Sequence, residues 1–172
     1  YRYEGWGGSV MSVEVTVDTD LQEAFSSFSV LRLPKDGRSE FFRFCECVKN
    51  VEGISYQTVL EKVSSITGRV EASYASKMLA TINPTRPIWD ANVRKALGIS
   101  DLSGSFSVRT ETAVSTYAEI ERAYREFLRT DRGRAYIRDF DRALPNHKRM
   151  SDVKKLDYAL WIIGASKQAN RK

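Results

Sequence analysis

Cysteine, histidine and proline are scarce in this 172-residue chain, and the scarcity removes several classes of function. The two cysteines, Cys45 and Cys47, stand two positions apart, a poor geometry for a mutual disulfide. No third or fourth thiol exists to complete a zinc or iron–sulfur site. The single histidine, His147, excludes a His-rich metal site and would have to serve in any conventional triad. Flanked by Asn146, Lys148 and Arg149, it reads instead as a solvated loop residue. There is no Gly-rich phosphate loop, no GxSxG elbow, no metalloprotease helix motif, no signal-peptide pattern and no apolar run of membrane length. The expectation is a cytoplasmic protein with no metal, no cofactor and no membrane attachment.

What is present suits one globular domain, 1–172. The length is enough to bury a substantial core, and 42% hydrophobic residues can fill it. A formal charge of +5 suits an acidic partner such as nucleic acid, though it falls well short of histone-like basicity.

Hydrophobic spacing predicts seven to eight amphipathic helices and a mainly α fold, a compact irregular bundle. Residues 1–17 read as an N-terminal arm or strand: Trp6 is an aromatic plug or a stacking residue, and Val13, Val15 and Val17 alternate as in a strand. Asp18, Thr19 and Asp20 offer caps for a short helix carrying Leu21, Ala24, Phe25 and Phe28 inward. Pro34 to Gly37 marks a turn, and a helix from about Ser39 follows with Phe41, Phe44, Cys45 and Val48 on its apolar face; Cys45 is thus expected buried and reduced. Ser55 caps a helix with Tyr56, Val59, Leu60 and Val63 inward, ending at Gly68. A long helix is expected from about Thr112 to Arg129, a further one from 132 to 144 stopped by Pro145, and a last one from Ser151 with Val153, Leu156, Leu160 and Ile163 inward. Residues 166–172 read as a frayed basic tail.

Two of the four prolines, Pro84 and Pro87, bracket the connector within the most informative stretch, residues 66–99. It runs Ile66-Thr67-Gly68, then a small-residue helix over 72–82, then Pro87-Ile88-Trp89-Asp90 and a helix through Val93, Ala96 and Leu97. A carboxylate at the mouth of a helix is accounted for by capping alone. The order as a whole, however, resembles the helix-hairpin-helix DNA glycosylase superfamily, which includes endonuclease III and the 8-oxoguanine glycosylases. In that family a Gly-centred hairpin holds a DNA phosphate, and a Pro-x-x-Asp segment places the catalytic carboxylate at the next helix N-terminus. The resemblance implies a glycosylase-like fold, duplex DNA as partner and Asp90 as the group stabilising an oxocarbenium-like state. It implies DNA contacts at Gly68, Arg69, Arg86, Arg94 and Lys95, with Trp89 stacking on an extruded base and Lys77 as the amine if lyase activity exists. For Trp89 the plain alternative is packing, and for Lys77 an exposed helix lysine. Thr67 stands where the family hairpin has Pro, only Gly68 of its glycines remains, and Lys77 lies beyond the family lysine position.

Residues 122–142 hold seven arginines interleaved with acids, either a salt-laced solvent face or a phosphate-tracking stripe. His147 to Arg149 with Lys154 and Lys155 form a second cationic group, in which only Asp152 and Asp157 intervene. Three functions compete: a DNA N-glycosylase, a non-catalytic DNA-binding relative and a helical protein-interaction module. A DNA-binding role would make the protein nucleoid-associated.

Overall fold

The computed structural model describes residues 13–29, 33 and 35–169. Among them the chain is mainly helical and has no strand. The helices are α1 (Thr19–Ser29), α2 (Lys35–Val48), α3 (Tyr56–Thr67), α4 (Ala72–Ile82), α5 (Ala91–Leu97), α6 (Phe106–Arg129), α7 (Asp131–Ala143) and α8 (Asp152–Ala169), with a 3₁₀ turn at Pro145–His147 before the last. None is long and apolar enough to cross a membrane. Trp6, the arm through residue 12 and the end of the tail lie outside the described residues, as does the Phe28 side chain.

Helix α4 is the axis of the core. Every residue in it is buried except the half-buried Ser73. Its small residues, Ala72, Ala75, Ser76 and Ala80, allow neighbours to approach on all sides, so that even the polar Ser76, Lys77 and Thr81 are buried. Val59, Leu60 and Val63 of α3 are fully buried against the same core. On one side Phe25, Phe41 and Phe42 cluster with Tyr74, with ring centroids 4.9 Å apart for Phe41–Tyr74. On another, the Tyr56 and Tyr117 rings stack at 3.8 Å. Cys45 is buried as expected, and burial pushes its thiol up to about 12; Cys47 is exposed.

Side-chain caps set several boundaries. Asp18 accepts from Leu21 N, Ser55 from Thr58 N, Ser105 from Val108 N and Thr130 from Gly133 N. Gly68, at φ +68°, closes α3 in the left-handed region that favours glycine.

Several expectations are corrected. Val13 to Val17 is a turn: Val17 N donates to Glu14 O, and among the described residues there is no strand. Glu46 of α2 accepts from Val15 N and Lys49, just past the end of α2, donates to Val13 O, so Val15 is buried while Val17 is 67% exposed. Ala24 is exposed, and α2 begins at Lys35, absorbing the expected turn. Helix α6 begins at Phe106, a turn and a half early; Phe106 and Val108 face solvent there, so no inward stripe announced it. Helix α8 continues through Ala169 instead of fraying from 166.

The inward face of α8 also differs. Ile163 is 46% exposed, whereas Lys154, Lys155, Leu156, Asp157 and Gly164 are buried. Lys154 and Lys155 are therefore no phosphate stripe: the first pairs with Asp157, the second with Asp141 and Asp152. Gly164 rests on the α5 backbone, where a Cβ would lie 1.9 Å from Asn92 O. Only glycine permits that approach.

The Lys154–Asp157 pair staples the connector between α4 and α5. Lys154 Nζ donates to Asp157 Oδ2 and to Arg86 O, while Asp157 Oδ1 accepts from Ile88 N and the Tyr124 hydroxyl. Ser151 donates to Pro84 O, Tyr117 donates to Pro87 O, and Trp89 N donates to Ser76 Oγ. Burial disfavours both charges, pushing the Asp157 carboxyl up and the Lys154 ammonium down, and each partner's charge pulls the other back.

Lys154→Met leaves a buried carboxylate unpaired, and urea denaturation should read a loss of about 3–5 kcal/mol. Lys154→Met combined with Asp157→Asn, which removes the charge but keeps an acceptor for Ile88 N and the Tyr124 hydroxyl, should recover much of it; an additive loss in the double variant would contradict the coupling. A thiol reagent should label Cys47 in the native protein and reach Cys45 only after denaturation.

Candidate functional site

Asp90 sits where the stapled connector enters α5. Its backbone is extended (φ −103°, ψ 179°), and Oδ1 accepts from both Asn92 N and Val93 N at 2.9 Å. The cap expected from the sequence is therefore present. No hydrogen bond engages Oδ2 in the described structure, and the side chain is half-buried, so one carboxylate oxygen remains for other work.

In front of Asp90 lies an open cleft of about 290 Å³. One wall is the segment entering α4, Val70 to Ser73; the opposite wall is Asp90, Ala91 and Arg94, and Leu102 and Arg109 close the end. The hairpin exit and the carboxylate thus face one space. Its charges largely cancel: Arg94 pairs with Asp101 at the rim, and Glu71 with Arg69 at 2.8 Å. Among the described residues neither Asp90 nor Arg109 is in an ion pair, and Arg109 Nε is buried without a hydrogen-bond partner. A uniformly cationic cleft is not what the lining provides; it offers one carboxylate and one guanidinium.

The expected site residues divide. Asp90 and Arg94 line the cleft, and Arg69 stands beside it through Glu71. Gly68 makes the bend, but its N–H is spent on Ser64 O, and Arg69 N donates to the Thr67 hydroxyl. The Gly68 and Arg69 amides expected to hold a phosphate are thus already engaged, the first by the helix C-cap and the second by the Thr67 hydroxyl. Arg86 is not at the cleft: its Nε lies 2.8 Å from Glu121 Oε1, and its guanidinium packs over the Tyr117 ring. Lys95 is half-buried and does not line the cleft; its carbonyl and that of Ala96 accept from Lys167 Nζ. Trp89 also borders the cleft, but at 3% exposed it is packed into the core and presents little ring face for stacking.

Lys77 is not an exposed helix lysine. It is 8% exposed and absent from the cleft lining. Burial lowers its ammonium below the usual lysine range while the Asp90 charge pulls it back up, which places the two groups within electrostatic reach. Arg109 was not legible as a site residue, because it lies in the part of α6 whose apolar neighbours face solvent. The one available signal was Ser105 as an N-cap.

Asp90→Ala should remove both capping bonds and lower stability by about 1 kcal/mol in urea denaturation. Asp90→Asn, which caps equally well, should stay near the wild type; matched losses in both would mean that the charge, not the cap, holds α5. Comparison of the chain with protein-family models, curated proteins and solved structures finds no match.

Proposed function

We propose that the protein acts on duplex DNA as a base-excision N-glycosylase, with Asp90 as the acidic group of the reaction. The observation that carries this reading is the uncommitted Oδ2 of Asp90 in a cleft whose far wall is the exit of the α3–α4 hairpin. At about 290 Å³ the space matches the small end of ligand pockets, room for one base and its sugar but not for a duplex. The target nucleotide must therefore leave the stack. Asp90 then stabilises positive charge developing at the sugar C1′ and accepts a proton from the attacking water. The C1′–N bond breaks, the base leaves with the electron pair, and the water oxygen bonds to C1′. Arg109, with a buried donor at the end of the cleft, is suited to a carbonyl or ring-nitrogen acceptor on the base. Hydrolysis fits better than lyase chemistry, since Lys77 is buried away from the cleft lining.

A second reading, a non-catalytic DNA-binding relative, is favoured by one observation. Asp90 already has a structural task in capping α5, which accounts for its place without catalysis.

A panel of duplex oligonucleotides bearing oxidised, alkylated or mismatched bases separates the two. Base release is expected for at least one duplex, falling about 100-fold or more in Asp90→Asn. Binding without release on any duplex, unchanged in Asp90→Asn, would establish the second reading. Absence of binding at low and moderate salt would end both.

A further inference from the structure

A second cleft opens on the other side of the stapled connector. It has a volume of about 430 Å³ and lies between the connector, at Thr85 to Pro87, and the outer face of α6. Four of its lining residues are charged: Arg86, Glu121, Arg125 and Arg129. Glu121 and Arg86 cancel one another at 2.8 Å, and Arg86 is further fixed over the Tyr117 ring. Arg125 and Arg129 are both exposed, and among the described residues neither is in an ion pair, although Glu121 also lies within electrostatic reach of Arg125. They stand four residues apart, one helical turn, so their guanidinium groups reach the same side of α6. Acids do neutralise other arginines of this region: Arg134 pairs with Asp131 and Arg142 with Asp139 on α7. The salt-laced reading therefore applies to those two arginines of α7, and a net charge of two is left over among the residues lining the α6 cleft.

The remaining walls are apolar. Pro87, Tyr124, Leu128 and Val153 line the cleft, and the Tyr124 hydroxyl is turned inward to Asp157. Low-dielectric walls concentrate the field of the two arginines, and forked guanidinium groups suit bidentate contact with phosphate oxygens. The Thr85 hydroxyl donates to Asn83 Oδ1, and as an oxygen with lone pairs it leaves the donor role in the cleft to the arginines.

We infer that this cleft is an anion site for a phosphate monoester, held by Arg125 and Arg129 against the Arg86–Glu121 pair. The dianion matches the two uncompensated charges. The site is separate from the Asp90 cleft: the buried Ile88 and Trp89 lie between them in the chain, and the inference stands whether or not Asp90 is catalytic. A phosphate monoester has two sources, a free mononucleotide or the phosphorylated end of a nucleic acid strand.

The test is calorimetric titration of the full chain with inorganic phosphate at constant ionic strength, with chloride as the reference anion. The wild type is compared with Arg125→Ala/Arg129→Ala and with Arg122→Ala, an exposed arginine of α6 outside the cleft; far-UV circular dichroism confirms that each is folded. Saturable phosphate binding is expected in the wild type and in Arg122→Ala, weakened about tenfold or more in the double variant. A short oligonucleotide with a 5′-phosphate is then compared with its 5′-hydroxyl counterpart. A preference for the phosphorylated end that disappears in the double variant assigns the strand end as the ligand. Equal binding of both oligonucleotides alongside intact phosphate binding assigns the free monoester. No saturable phosphate binding, or binding equal in the wild type and double variant, overturns the inference.

Discussion

The Lys154–Asp157 pair is wholly withdrawn from water, its side chains 3% and 1% exposed, and the connector between α4 and α5 hangs from it. Such a pair is poor value as a source of stability, since removing two charges from water offsets much of their attraction. Its effect is geometric. Asp157 takes the Ile88 amide and the Tyr124 hydroxyl, Lys154 takes the Arg86 carbonyl, and α6 and α8 are thereby set relative to one backbone segment. Serine hydroxyls from α4 and from the residue before α8 add their own bonds to the same segment. A proline-containing connector cannot satisfy its polar groups through helix or sheet, so side chains from neighbouring helices must do so.

That constraint decides what stands on each side of the connector. Asp90 follows immediately, and its cap on α5 fixes one carboxylate oxygen while leaving the other toward the 290 Å³ cleft. Arg86 precedes it and is carried to the opposite side, where Glu121 and the Tyr117 ring hold it. Two polar spaces of different character result. One presents a carboxylate and a guanidinium; the other presents two uncompensated arginines on α6. The proposed DNA chemistry belongs to the first and the inferred phosphate site to the second.

Local patterns announced most of the helices because their causes are local. Ser55 and Gly68 bound α3, the prolines and Asp90 bound the connector, and the period of Tyr117, Ile120 and Tyr124 marked the inner face of α6. The start of α6 was hidden because Phe106 and Val108 point outward, so apolar residues there carry no period. Val13, Val15 and Val17 alternate as a strand would, but alternation does not supply a partner. The Glu46 and Lys49 side chains took the backbone groups that a neighbouring strand would have bonded.

Composition, caps and hydrophobic period were sufficient to establish a mainly helical chain, the limits of α3 and α4, the burial of Cys45 and the cap at Asp90. Tertiary structure alone decided that Lys154 and Lys155 are interior ion-pair partners, that Trp89 is core, that Arg86 and Asp90 serve different clefts, and that Arg109 joins Asp90. The physical reason is the same in each case. A caps-and-period reading depends on neighbours within a turn or two of the chain, whereas whether a charge is buried, paired or free depends on which distant helix comes to lie against it. Gly164 against Asn92 shows how little of that second kind is written locally: one missing side chain lets α8 settle onto α5.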